Sequence, residues 1–195
     1  TGRKQINFMP NSIMYSQSAS QYAETIKKSK LANNTSEGQK VRRVGLRIAR
    51  ATEDFLREQK IKMNFDWEFN LIDDKQVNAW AMPGGKIAFY TGILKHAQSE
   101  AEIATVMGHE VAHVIAEHGS ERFSQQLGIT GLSLLGAYSV RKKDAKTRQA
   151  FQLAFGAAAT YGLMLPFSRK HELEADRIGL ILMARAGYNP EVSVG

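Results

Sequence analysis

The chain contains no cysteine. Disulfides, thiolate ligands and cysteine nucleophiles are thereby excluded, which leaves His, Asp and Glu as the strong ligands for a metal such as zinc. Acidic residues are in deficit, 19 against 26 Lys and Arg, for a formal net charge of +7. That excess, concentrated before position 62, favours acidic surfaces; a solvated basic face is the first reading, contact with anionic lipid the next, and nucleic acid the last, because no nucleic-acid motif accompanies it. Long hydrophobic runs are lacking too. Leu127–Val140 is too short to span a bilayer, and Ala150–Phe167 is borderline and interrupted by Gln152 and Thr160. No secretory leader opens the chain, which reads as a mature or trimmed form. What remains, 195 residues with 43% hydrophobic and 23% charged content, suits a globular protein able to bury a core.

The most explicit chemistry lies in Ser99–Gly119, SEAEIATVMGHEVAHVIAEHG. Ser99 and Glu102 form an S-x-x-E capping box, and Gly119 stands where a helix can close through a left-handed residue. Inside is His109-Glu110-Val111-Ala112-His113, an HExxH motif. Histidines four apart share one helix face, so both imidazoles can reach one metal ion. Glu110, beside the first of them, is placed to act as a base on water. Val106, Met107, Val111, Val114 and Ile115 make the helix too apolar for a surface one, and its buried polar groups need a partner. A zinc ion is the simplest. The HExxHxxGxxH continuation is excluded, because positions 116 and 119 are Ala116 and Gly119.

A third ligand must come from elsewhere. Ser168–Tyr188, SRKHELEADRIGLILMARAGY, reads as a second helix, barred on its N-terminal side by Pro166 and ended by Gly187 and Pro190. Glu172 and Asp176 share a face of it. Glu172 can complete a zinc site, and Asp176 can accept a hydrogen bond from the distal nitrogen of a ligating histidine and fix its tautomer. HEVAH at 109–113 followed by SRKHELEAD at 168–176 resembles the M48 zinc metallopeptidases, and Asn78–Leu94 is similar to the segment before the active-site helix in their soluble branch. The resemblance implies that His109, His113 and Glu172 bind one zinc ion, that Glu110 is the catalytic base, and that Asp176 is the second catalytic carboxylate. It implies a zincin-like α+β fold, mostly helical, with a small antiparallel sheet beside the HExxH helix. It also implies cleavage of unfolded or misassembled proteins in a bacterial periplasm or envelope, with lipid anchoring or membrane-surface association and no nucleic-acid partner. Soluble members continue past AGYNP, so part of their cleft wall is expected beyond Gly195.

The rest of the chain fills in around these helices. Residues 1–36 are expected to wrap the surface, with apolar anchors such as Ile6, Phe8 and Met9 and a helix near Ala19–Lys30; 37–195 form the catalytic domain. TGRKQINFMP is similar to the start of some bacterial lipoproteins of the family. Glu37–Gln59 is an amphipathic helix whose stripe (Val41, Val44, Ile48, Ala51, Phe55) packs into the core. Met63–Leu71 alternates as a half-buried strand, and Pro83-Gly84-Gly85 turns a hairpin. Substrate main chain is expected to pair with that hairpin, around Ile87, Ala88 and Phe89. The two apolar runs after Ser120 predict a pair of core helices or a lid; because membrane-embedded members of the family it resembles have spanning helices, a hairpin dipping into a membrane is the alternative. His118 is expected to be structural or exposed, His171 off the ligand face, and His96 without a role; an oxyanion donor could be one of these, Tyr161 or Arg177. The rival readings are a closed, non-catalytic zinc scaffold and a latent protease occluded by its own chain.

Overall fold

The computed structural model describes residues 11–194. The expected anchors Ile6, Phe8 and Met9, and the lipoprotein-like start, lie outside them. In chain order the elements are α1 (Asn11–Lys28), α2 (Ser36–Glu58), β1 (Glu68–Ile72), β2 (Ala79–Met82), β3 (Lys86–Tyr90), α3 (Glu100–Ile115), α4 (His118–Val140), α5 (Ala145–Ala157) and α6 (Leu165–Arg185). The fold class is α+β, mostly helical with one small sheet. Its described residues fall into two compact units, 11–116 with 174–194, and 117–173.

In the larger unit, Thr35 starts α2 by accepting the Gly38 N–H at 3.1 Å. The stripe read from sequence faces inward: Val41, Val44 and Ile48 are almost wholly buried. They pack with Leu71 of β1, Ile87 and Phe89 of β3, Ile103, Met107 and Val111 of α3, and Leu182 and Met183 of α6. Burying each such side chain contributes about 1.5–3 kcal/mol. A smaller cluster covers the sheet's other face, where Tyr22 of α1 sits on Ile72 and Ala88. Its hydroxyl donates to the Ile87 carbonyl at 2.9 Å and accepts from Asn70 Nδ2. Thr52, fully buried on α2, has no hydrogen-bond partner for Oγ1 among the described residues. Thr52→Val keeps the shape and removes that polar group, so chemical denaturation should show about 1 kcal/mol more stability.

The sheet order is β1-β3-β2, with β1 parallel and β2 antiparallel to β3. The expected antiparallel sheet is therefore mixed, because β1 joins β3 through the intervening hairpin strand rather than by a turn. The ladder in the Met63–Leu71 segment is also shorter than the alternation suggests. Before Glu68 the chain runs along the hairpin turn, bonding Gly84 and Gly85 through the Asp66 and Glu68 N–H groups.

In the smaller unit, α4 and α5 form a helical hairpin. The expectation of core helices fails here: α5 buries no residue, and on α4 only His118, Ser120, Glu121 and Ser124 are buried. Asp144 caps α5 by accepting the Thr147 N–H at 2.9 Å. A π-helical stretch, Ala158–Met164, carries the chain from α5 into α6. Pro166 thus lies within continuous helix instead of barring it. The wider π turns shift the hydrogen-bond ladder just before a residue with no N–H to give. No helix among the described residues is long and apolar enough to cross a membrane.

Candidate metal centre

The α3 helix begins at the capping box: Glu102 N–H donates to Ser99 Oγ at 3.2 Å, and the Glu102 carboxylate accepts the Ser99 N–H at 2.7 Å. Its end differs from the expectation. Ala116 caps α3, and Glu117, at φ 54°, takes the left-handed position assigned to Gly119 before α4 starts. The first turn is also held from outside, since Arg43 of α2 donates to Glu100 at 2.8 Å. That hydrogen bond holds the Glu100 carboxyl below its usual range. A depressed carboxyl stabilises the fold above its ordinary pKa, and the contribution is lost as pH falls through the folded-state value. Glu100→Gln should therefore lower the melting temperature at neutral pH, and its difference from the wild type should shrink as pH falls through the folded-state value.

On α3, His109 and His113 present their Nε2 atoms 3.0 Å apart. Asp176 of α6 lies against the first of them, its Oδ1 2.8 Å from His109 Nδ1. A carboxylate only accepts, so Nδ1 carries the proton and Nε2 keeps its lone pair on the side facing His113. Two nitrogens on one tetrahedral zinc stand roughly 3.3 Å apart. The pair therefore fits a zinc ion, with Asp176 setting the tautomer that metal binding requires. Removing that partner in Asp176→Ala should weaken zinc binding about 10- to 100-fold in a chelator competition, with Asp176→Asn between the two. Wild-type affinity in Asp176→Ala would contradict the role.

Glycine sets how closely α3 and α6 approach. A Cβ on Gly108 would stand 2.8 Å from the Gly179 carbonyl oxygen, and one on Gly179 would stand 2.8 Å from the His109 backbone nitrogen. Each helix thus touches the other's backbone beside the His109–Asp176 bond. A cleft of about 420 Å³ opens there, walled by Val106, Leu180 and Met183 with His109 and Asp176 at its polar end.

Glu110 follows His109 on α3 and is half-buried. Residues 38–195 match Peptidase family M48. The chain belongs to this family. Relatives include the mitochondrial metalloendopeptidase OMA1 of Arabidopsis thaliana, 42% identical over 127 residues that cover 65% of this chain and 24% of that protein. OMA1 of Schizosaccharomyces pombe is 38% identical, covering 65% and 35%. The beta-barrel assembly-enhancing protease of Escherichia coli K12 is 30% identical, covering 64% and 26%. This chain thus spans about a quarter to a third of the length of these relatives.

In the M48 chain, α6 carries Glu172 one turn before Asp176 on the same face. Sequence reading missed two features around it. Arg122 of α4 donates to Glu172 Oε1 at 3.0 Å. His118 and His171 are both buried, with rings stacked at 4.2 Å, and Glu121 Oε2 lies 3.2 Å from His171 Nε2. The three-residue spacing of His118 and Glu121 hinted at one inward face, but their partner on a later helix was invisible. His96 is exposed, and the Tyr161 side chain lies outside the described residues.

Ile87, Ala88 and Phe89 cannot take the expected role of pairing with substrate main chain. They form the central strand, hydrogen-bonded to β1 on one side and β2 on the other, and are fully buried. The outer edge of β1 is occupied as well, by Ala32 N–H donating to the Leu71 carbonyl and Leu71 N–H donating to Asn33 Oδ1. No strand among the described residues flanks β2 on its outer side.

Proposed function

We propose that this chain is a zinc-dependent metalloendopeptidase that hydrolyses peptide bonds of protein substrates, with His109, His113 and Glu172 as the metal ligands. The observation that carries the reading is the pair of Nε2 atoms 3.0 Å apart with Asp176 on the far nitrogen of His109. Glu172 is included because its helix continues directly into Asp176. When bound, zinc polarises a carbonyl and lowers the pKa of water. Glu110 takes the proton as water attacks the scissile carbonyl and passes it to the leaving amine. Asp176 holds the His109 ring so that Nε2 stays a lone-pair donor throughout. Substrate main chain is assigned to the β2 edge, Ala79–Met82, since β3 is enclosed; reading backbone rather than side chains suits unfolded or misassembled substrates. The relatives named for mitochondrial proteolysis and for β-barrel assembly support a role in protein quality control, which we place in a bacterial envelope.

Casein cleavage measured before and after a chelator, and again after zinc is restored, tests the activity. Loss on chelation with recovery on zinc is expected. Chelator-insensitive cleavage, or full zinc occupancy in Glu172→Ala, would overturn the reading.

A further inference from the structure

The α4–α5 hairpin carries an apolar surface that the proposed peptidase activity does not explain. Leu127 is 49% exposed, Leu134 68% and Tyr138 62%, and Phe123 only slightly less than Leu127. Spaced four, seven and four residues apart, these four side chains fall on a single face of α4. That face is not the one α5 uses, for the Phe151 ring packs against Gly136 so tightly that no Cβ would fit. Leu135 lies at the margin of the stripe, and Leu153 of α5 is exposed as well. Leucines exposed in such number are costly in water and mark a contact surface.

Charge indicates what covers it. From Leu127 to Ser168 there are five basic side chains, Arg141, Lys142, Lys143, Lys146 and Arg148, and one acidic residue, Asp144. All six are exposed, and Asp144 is engaged at the N-terminus of α5. Arg141 lies over the Tyr138 ring at 3.6 Å, joining the end of the apolar stripe to the start of the basic turn. An apolar stripe, an aromatic at its margin and a cationic cluster beside it together match a surface that is hydrocarbon within and anionic at its boundary. A second copy of the chain would bring the same positive cluster, so it lacks the complementary charge.

We propose that the α4–α5 hairpin docks this chain onto an anionic lipid surface, lying along the interface with Leu127, Leu134, Leu135 and Tyr138 toward the acyl chains. The test is co-sedimentation of the full chain with vesicles of phosphatidylcholine alone and of phosphatidylcholine mixed with phosphatidylglycerol. Binding should be about tenfold tighter to the mixed vesicles and fall with added salt. Leu134→Glu/Leu135→Glu should lose about tenfold in affinity, and Lys142→Gln/Lys143→Gln should lose most of the preference for phosphatidylglycerol. Both pairs are exposed, so helix content and melting temperature should not change. Failure of the wild-type chain to sediment with mixed vesicles would overturn the proposal. So would undiminished binding by the folded leucine variant, or a dimer that it dissolves while vesicle binding persists. None of these outcomes depends on cleavage or on zinc.

Discussion

Glu110→Gln is expected to bind zinc as the wild type does and to lose at least about 10³-fold in kcat for peptide cleavage. The amide is the same size, sits on the same turn of α3 and leaves His109, His113 and the Asp176 bond in place. It cannot accept a proton from water at neutral pH, and that is the single function removed. Zinc stoichiometry by elemental analysis alongside turnover of a fluorogenic peptide separates the two effects. Wild-type turnover in a zinc-loaded variant would remove Glu110 from the mechanism; zinc loss would make it a structural residue instead.

The second large effect is expected at a residue without a side chain. Gly179→Ala should destabilise the fold by about 1–3 kcal/mol and weaken zinc binding as well. The added Cβ would meet backbone on α3, the His109 nitrogen at 2.8 Å and the Gly108 carbonyl carbon at 3.0 Å. No rotamer relieves that clash, so the helices must separate or slide. The His109–Asp176 bond spans the same crossing and would lengthen with it. Denaturant unfolding without metal reads the packing cost, and chelator competition reads the ligand geometry. A variant with normal stability and normal zinc affinity would show that this crossing tolerates expansion, and the account of how α3 and α6 are held would fail.

How far these features could be read from the chain depended on their range. The α3 N-terminus was legible because Ser99 and Glu102 act on each other within one turn. The inward stripe of α2 was legible because helical periodicity maps directly onto burial. Misreadings occurred where distant groups compete. Gly119 has the right chemistry for a left-handed close, yet Glu117 adopts it, since the chain turns into α4 two residues sooner. Pro166 carries a strong local stop signal, which the π-helical stretch before it accommodates. The apolar runs of α4 and α5 look like core from their composition, and only their neighbours in space could reveal them as largely exposed.

The sequence by itself determined the chemistry of this protein: HExxH on a helix, a later helix bearing Glu172 and Asp176, and no thiol to compete for metal. These follow from side-chain type and from spacings along single helices, which are local properties. The tertiary structure alone decided that β3 is enclosed and β2 is the outer strand, that Asp176 meets His109, and that glycine permits the helices to meet. Strand order and helix crossing depend on which distant surfaces fill one another's space, and no pattern within one segment encodes that.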